Sequence, residues 1–140
     1  MTSQPVTASE RWLVILLRIA GPIMVLAFGA VFLPTEWMAA SHRRLGLGEF
    51  PVSPLVDYLT RSISALYAIH GGLYLVIARD VRRYAGVLAY VVATNVAFGV
   101  LMVAIDLKAG LPWYWILGEG PPIVAFGAVL AALLRTVPKD

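Results

Sequence analysis

Four apolar runs divide the chain, at residues 12–33, 54–78, 84–105 and 113–134, with polar or turn-forming residues between them. A helix needs about 20 mainly apolar residues to cross about 30 Å of hydrocarbon, so each run suffices for one crossing. The pattern predicts an all-α integral membrane protein, an antiparallel four-helix bundle formed as a single membrane unit over residues 1–140.

The interruptions refine this picture. MTSQPVTASE reads as a polar leader. The first run is long and carries Arg18, which favours a retained helix over a cleaved signal peptide, whose apolar region is short and unbroken. Pro22 predicts a kink unless neighbours re-satisfy the backbone. In TEWMAASHRRLG, Trp37, Met38 and Leu45 share one helical face, with Glu36 and Arg43 opposite. That segment fits either a short interfacial helix ended by Gly46 or a plain loop, and His42 within it reads as solvated or facing headgroups. Ser53-Pro54 combines an N-cap hydroxyl with proline at the first helical position. The second run is longer than the hydrocarbon is thick, so its first turn should project from the membrane.

RDVRR and DLKAGLP are the expected turns on either side of the third run. Pro112 is a candidate helix start, yet Gly118, Gly120, Pro121 and Pro122 interrupt the fourth run soon after it. Trp113, Tyr114 and Trp115 are therefore expected to form an interfacial belt, with a kinked or broken turn around Glu119 beyond it.

Composition agrees with the pattern. Hydrophobic residues make up 60% of the chain and charged residues 14%, with a mean hydropathy of +0.82; ordinary soluble domains carry about 25% charged residues. The net charge of +3 does not point to nucleic acid, because the basic residues sit at the ends of apolar runs without a stripe of interleaved aromatics. Arg11, Arg79, Arg82, Arg83, Arg135 and Lys139 fall on one side of a four-span topology, and Arg43, Arg44 and Lys108 on the other. The bias places both termini in the cytoplasm. Absence of cysteine excludes thiol catalysis, thiolate metal sites and disulfide exchange by this chain.

Ionisable groups inside a membrane are expensive and mark candidate sites. Arg61, Asp106 and Glu119 should share the outer edge of the hydrocarbon, where Arg61 can hold a carboxylate through two parallel hydrogen bonds. Such a cluster either clamps helix ends or forms the polar lip of a cavity for a headgroup or small solute. Asp106, near a helix end, has plain solvation as its alternative, which makes Glu119 the better partner for Arg61. At mid-depth, Tyr67 and Tyr74 flank His70, and Asn95 lies half-way along the third run. These suit a hydrogen-bonded structural histidine, a proton relay or a quinone-headgroup site. A bis-histidine haem needs a second buried histidine, and two histidines without cysteine make no metal site unless carboxylates complete it or subunits share it, so no cofactor is expected.

Small residues line helical faces at Ser64, Ala65, Ala68, Gly71 and Gly72, at Gly86, Ala89, Ala93, Ala97 and Ala104, and at Gly127 and Ala131. They predict close helix packing, within one chain or between two.

RSISALY at 61–67, Gly71-Gly72, Asp80, Phe98-Gly99, Asp106, Tyr114-Trp115, Glu119-Gly120-Pro121 and Phe126-Gly127 together resemble a family of small four-span bacterial inner-membrane proteins without an established activity. The resemblance covers nearly the whole chain from the first run onward and implies topology and setting, not chemistry. The leading expectation is a non-catalytic structural or assembly subunit in contact with membrane lipids, self-associated or part of a larger assembly. A carrier using Arg61 and Glu119, or an enzyme acting on a lipid or quinone through His70, are the alternatives.

Overall fold

The computed structural model describes residues 5–138; the first four residues of the polar leader, and Lys139, lie outside the described residues. Five α-helices succeed one another: α1 (Ala8–Leu26), α2 (Thr35–Arg44), α3 (Pro54–Ile77), α4 (Ala85–Ala109) and α5 (Trp113–Leu134), with a 3-10 segment (Ala27–Val31) continuing α1. The fold is all-α, with no strand among the described residues.

The leader is shorter than expected. Thr7 and Glu10 form a reciprocal cap, with the Glu10 amide donating to Thr7 Oγ1 at 3.3 Å and the Thr7 amide to Glu10 Oε2 at 2.6 Å. This satisfies amides that a helix start leaves orphaned, so α1 begins at Ala8, ahead of the apolar run. Pro22 sits inside α1 without ending it. The segment 35–44 is a helix rather than a loop. It ends in a Schellman turn: Gly46 has φ 73°, its amide donates to the Arg43 carbonyl at 3.0 Å, and the Leu47 amide to the His42 carbonyl at 3.2 Å. Ser53 caps α3 as its position predicts, accepting the Val56 amide at 3.2 Å.

The last two helices differ from expectation. α4 runs on through Asp106 to Ala109, closing on Gly110 (φ 70°) with bonds from Gly110 N–H to the Leu107 carbonyl and Leu111 N–H to the Asp106 carbonyl. The expected turn DLKAGLP thus shrinks to its last three residues. α5 is unbroken from Trp113 although it contains Pro121 and Pro122. Each proline removes one amide donor, from the carbonyls of Leu117 and Gly118, but its fixed φ is helical. Both prolines lie on the exposed side of the helix.

Among the described residues, three helical stretches are long and apolar enough to cross a membrane: Ala8–Val31, Ala85–Ala109 and Trp113–Leu134. α3, the fourth expected crossing, matches them in length at 24 residues but carries Asp57, Arg61 and His70 and is less apolar.

Contacts divide the chain into two compact units, residues 1–17 with 77–140, and residues 18–76. In the first unit α4 and α5 pack antiparallel. Leu88, Val91, Val92, Asn95, Gly99 and Asp106 form the buried face of α4, and Gly120, Gly127 and Leu130 that of α5. A Cβ built on Gly127 would lie 2.8 Å from Val96 and 3.4 Å from Asn95, which shows how closely the backbones approach. The small-residue face expected to pack on α4 is not this one: Gly86, Ala89, Ala93, Ala97 and Ala104 are not among its buried residues. In the second unit α1 meets α3 at Gly21 and Gly71, where a Cβ on Gly71 would stand 2.5 Å from the Gly21 carbonyl oxygen.

Candidate functional site

The polar groups fall into three arrangements. In the second unit, Arg61 reaches across from α3 to the end of the first helical stretch. Its guanidinium donates to the Val31 carbonyl, to the Leu33 carbonyl at 3.1 Å, and through Nε to Asp57 Oδ2 at 2.9 Å. Asp57, one turn earlier on α3, also accepts from Thr35 Oγ1 at 3.3 Å, tying in the start of α2. One planar fork therefore joins three segments, which a point charge such as lysine could not do. The expected partnership of Arg61 with Glu119 joins residues of different units; the partners visible for Arg61 belong to its own.

In the first unit, Glu10 of α1 pairs with Arg82 of the turn before α4. Arg82 Nε donates to Glu10 Oε1, and Nη2 donates both to Glu10 Oε2 at 3.1 Å and to the Pro5 carbonyl at 3.0 Å. The Glu10 side chain is 6% exposed and that of Arg82 20%. Sequence reasoning used Arg82 as an orientation charge and missed this pair. The capping-box spacing of Thr7-Ala-Ser-Glu10 signals the helix start that places Glu10, and nothing local in it points to Arg82, 72 residues away.

The third arrangement carries chemistry without an evident structural use. Asp106 points from the last turn of α4 into the α5 seam. The residue is 2% exposed, and its Oδ2 is closed off from solvent with no hydrogen-bond partner. The solvated reading of Asp106 therefore fails, because α4 continues past it and that face turns inward where the backbones of Gly99 on α4 and Gly120 on α5 approach closely. A Cβ on Gly120 would meet both Gly99 and Val103, so Gly120 lies level with the point midway between them. Antiparallel packing then brings Asp106, about five residues beyond that point, level with Trp115, five residues before Gly120. Glu119 lies one turn after Trp115 on α5, half-buried, and both the Trp115 indole and the Asp106 carboxylate act on it. Glu119 forms no ion pair among the described residues.

The mid-depth residues separate likewise. Tyr67, His70 and Tyr74 lie along α3 in the second unit, and the His70 and Tyr74 rings pack with centroids 4.9 Å apart. Asn95 is buried on α4 in the first unit, beside Gly127. No group of three histidine, aspartate or glutamate side chains among the described residues is arranged to hold a metal ion. Comparison of the chain with protein-family models, curated proteins and solved structures finds no match.

Proposed function

We propose that this chain is a small multi-pass protein of the bacterial inner membrane, in which α3 makes a fourth crossing and both termini face the cytoplasm. In this reading the bundle is a non-catalytic structural or assembly subunit, embedded among membrane lipids and joined to copies of itself or to a larger complex. The observation that carries it is the stripe Gly86, Ala89, Ala93, Ala97 and Ala104 on α4, which lies outside that helix's buried face. At Gly86 a Cβ would meet nothing within 4 Å. Small residues gain little from lipid, but they let a neighbouring helix approach closely and gain dispersion contacts. The chain buries its glycines at 99, 120 and 127 for that purpose and leaves this second stripe uncovered. Support for the fourth crossing comes from α3, where Arg61 and Asp57 pair near the helix start and the rest of the helix carries no further acid or arginine.

Native mass spectrometry after gentle extraction from the original membrane tests the reading. The protein should leave the membrane in an assembly heavier than the 15.2 kDa chain, and Ala93→Leu with Ala97→Leu should break that assembly without unfolding the chain. A wild-type protein that emerges as a monomer with no companion protein would overturn it.

A further inference from the structure

The geometry points to a binding site for a monovalent cation, an alkali ion or a proton, held between Asp106 of α4 and Glu119 of α5. The inference is independent of the assembly reading. Asp106 is the buried group, 2% exposed, and its Oδ2 has neither solvent nor a donor. A carboxylate in that state is costly unless a positive charge joins it. The α4 terminus adds to the demand, since the last turn of a helix carries partial negative charge. The cation therefore faces the Asp106 side chain, the negative end of the α4 dipole and the second carboxylate, Glu119.

No protein cation fills this place. Lys108, two residues beyond Asp106, is exposed and makes no ion pair among the described residues. Tyr114 is the other titratable group at this end of α4 and α5. Glu10, Arg79, Asp80, Arg82 and Arg83 belong to the opposite end of α4, about 30 Å away at 1.5 Å per residue. Size narrows the ligand further. A hydrated divalent ion such as Mg²⁺ keeps several of its waters, whereas Asp106 Oδ2 is sealed by its surroundings. A small ion without a water shell meets that constraint, and it supplies one positive charge to two carboxylates.

The test uses the full-length protein purified in mild detergent, with Asp106→Asn and Glu119→Gln as near-isosteric variants. Thermal melts are taken in lithium, sodium, potassium and choline chloride at equal ionic strength, and again across a pH series in choline chloride alone. A ligand that binds only the folded state raises its stability in a saturable way. Saturable stabilisation by one alkali ion over choline, weakened more than about 100-fold in both variants, supports an alkali site; this exceeds the 10–100-fold typical when a group behind the ligands is lost. Stability that rises as pH falls in the wild type, with the dependence lost in both variants, supports a proton. Melts in which neither dependence changes on substitution overturn the proposal. Infrared difference spectra of the wild type, recorded on exchanging alkali ion for choline and on changing pH, read the carboxyl groups without any substitution. Spectra with no carboxyl band in either exchange overturn the proposal as well.

Discussion

Gly99 of α4 lies so close to Gly120 of α5 that a Cβ on Gly99 would stand 2.8 Å from the Gly120 carbonyl oxygen, and a Cβ on Gly120 2.6 Å from that of Gly99. Both obstacles are backbone, so neither can swing aside, and an added methyl must push the helices apart. Gly99→Ala and Gly120→Ala should each destabilise the first unit by about 1–3 kcal/mol, the usual cost of overpacking. Gly118→Ala is the control, because nothing lies within 4 Å of its Cβ position. There the gain in helix propensity should stabilise by about 0.5–1 kcal/mol. Unfolding in mixed detergent micelles, monitored by tryptophan fluorescence, separates the two outcomes; equal effects at Gly99 and Gly118 would contradict the packing.

That seam also shows where sequence reading stops. Run length and hydropathy suffice to locate α1, α4 and α5, because a helix in lipid must be apolar over a whole crossing, and the run at 54–78 with its Ser53-Pro54 start suffices to locate α3 as a helix. The rotation of a helix about its axis is harder to read when nearly every position is apolar. On α4 two faces compete, one with Gly86, Ala89, Ala93 and Ala97, the other with Leu88, Val91, Asn95 and Gly99, and the second is buried. Local periodicity cannot choose between them, since the choice depends on which backbone fits Gly120 and Gly127. The burial of Asp106 comes from the same rotation and is hidden for the same reason. Pro121 and Pro122 mislead differently: they weaken α5 on its exposed side without breaking it.

The ion pair of Glu10 and Arg82 predicts a coupled stability effect. Glu10→Gln leaves Arg82 facing the Pro5 carbonyl and a neutral amide, and Arg82→Met leaves Glu10 with the Thr7 cap alone. Either change should cost about 1–2 kcal/mol, well below the roughly 3–5 kcal/mol of a fully enclosed pair, because Arg82 keeps a fifth of its side chain in solvent. The double variant should recover part of the loss. Additive losses in this thermodynamic cycle would mean that the two side chains act independently.

Arg61 predicts a change in local protection. Its guanidinium fixes the Val31 and Leu33 carbonyls to α3, at the point where the 3-10 segment gives way to α2. Arg61→Lys retains the charge but cannot reach Asp57 and two carbonyls together. Amide hydrogen exchange of residues 28–36 should therefore speed up in Arg61→Lys and still more in Arg61→Met. Exchange in α5 should stay as in the wild type. Unchanged exchange at residues 28–36 in both variants would show that the fork does not hold this junction.

Topology gives the sharpest test of α3. If α3 crosses the membrane, the crossings number four and both termini lie on one side; if it does not, the three apolar stretches put the termini on opposite sides. The six basic residues flanking the crossings on the proposed inner side, against three on the other, set the direction. A reporter enzyme active only in the periplasm should be silent when fused before Met1 and silent again when fused after Asp140. Fused within residues 46–52, between α2 and α3, it should be active, because that connection comes after a single crossing. Activity at one terminus alone would remove α3 from the membrane. The Arg61–Asp57 pair would then belong to a helix lying outside the hydrocarbon.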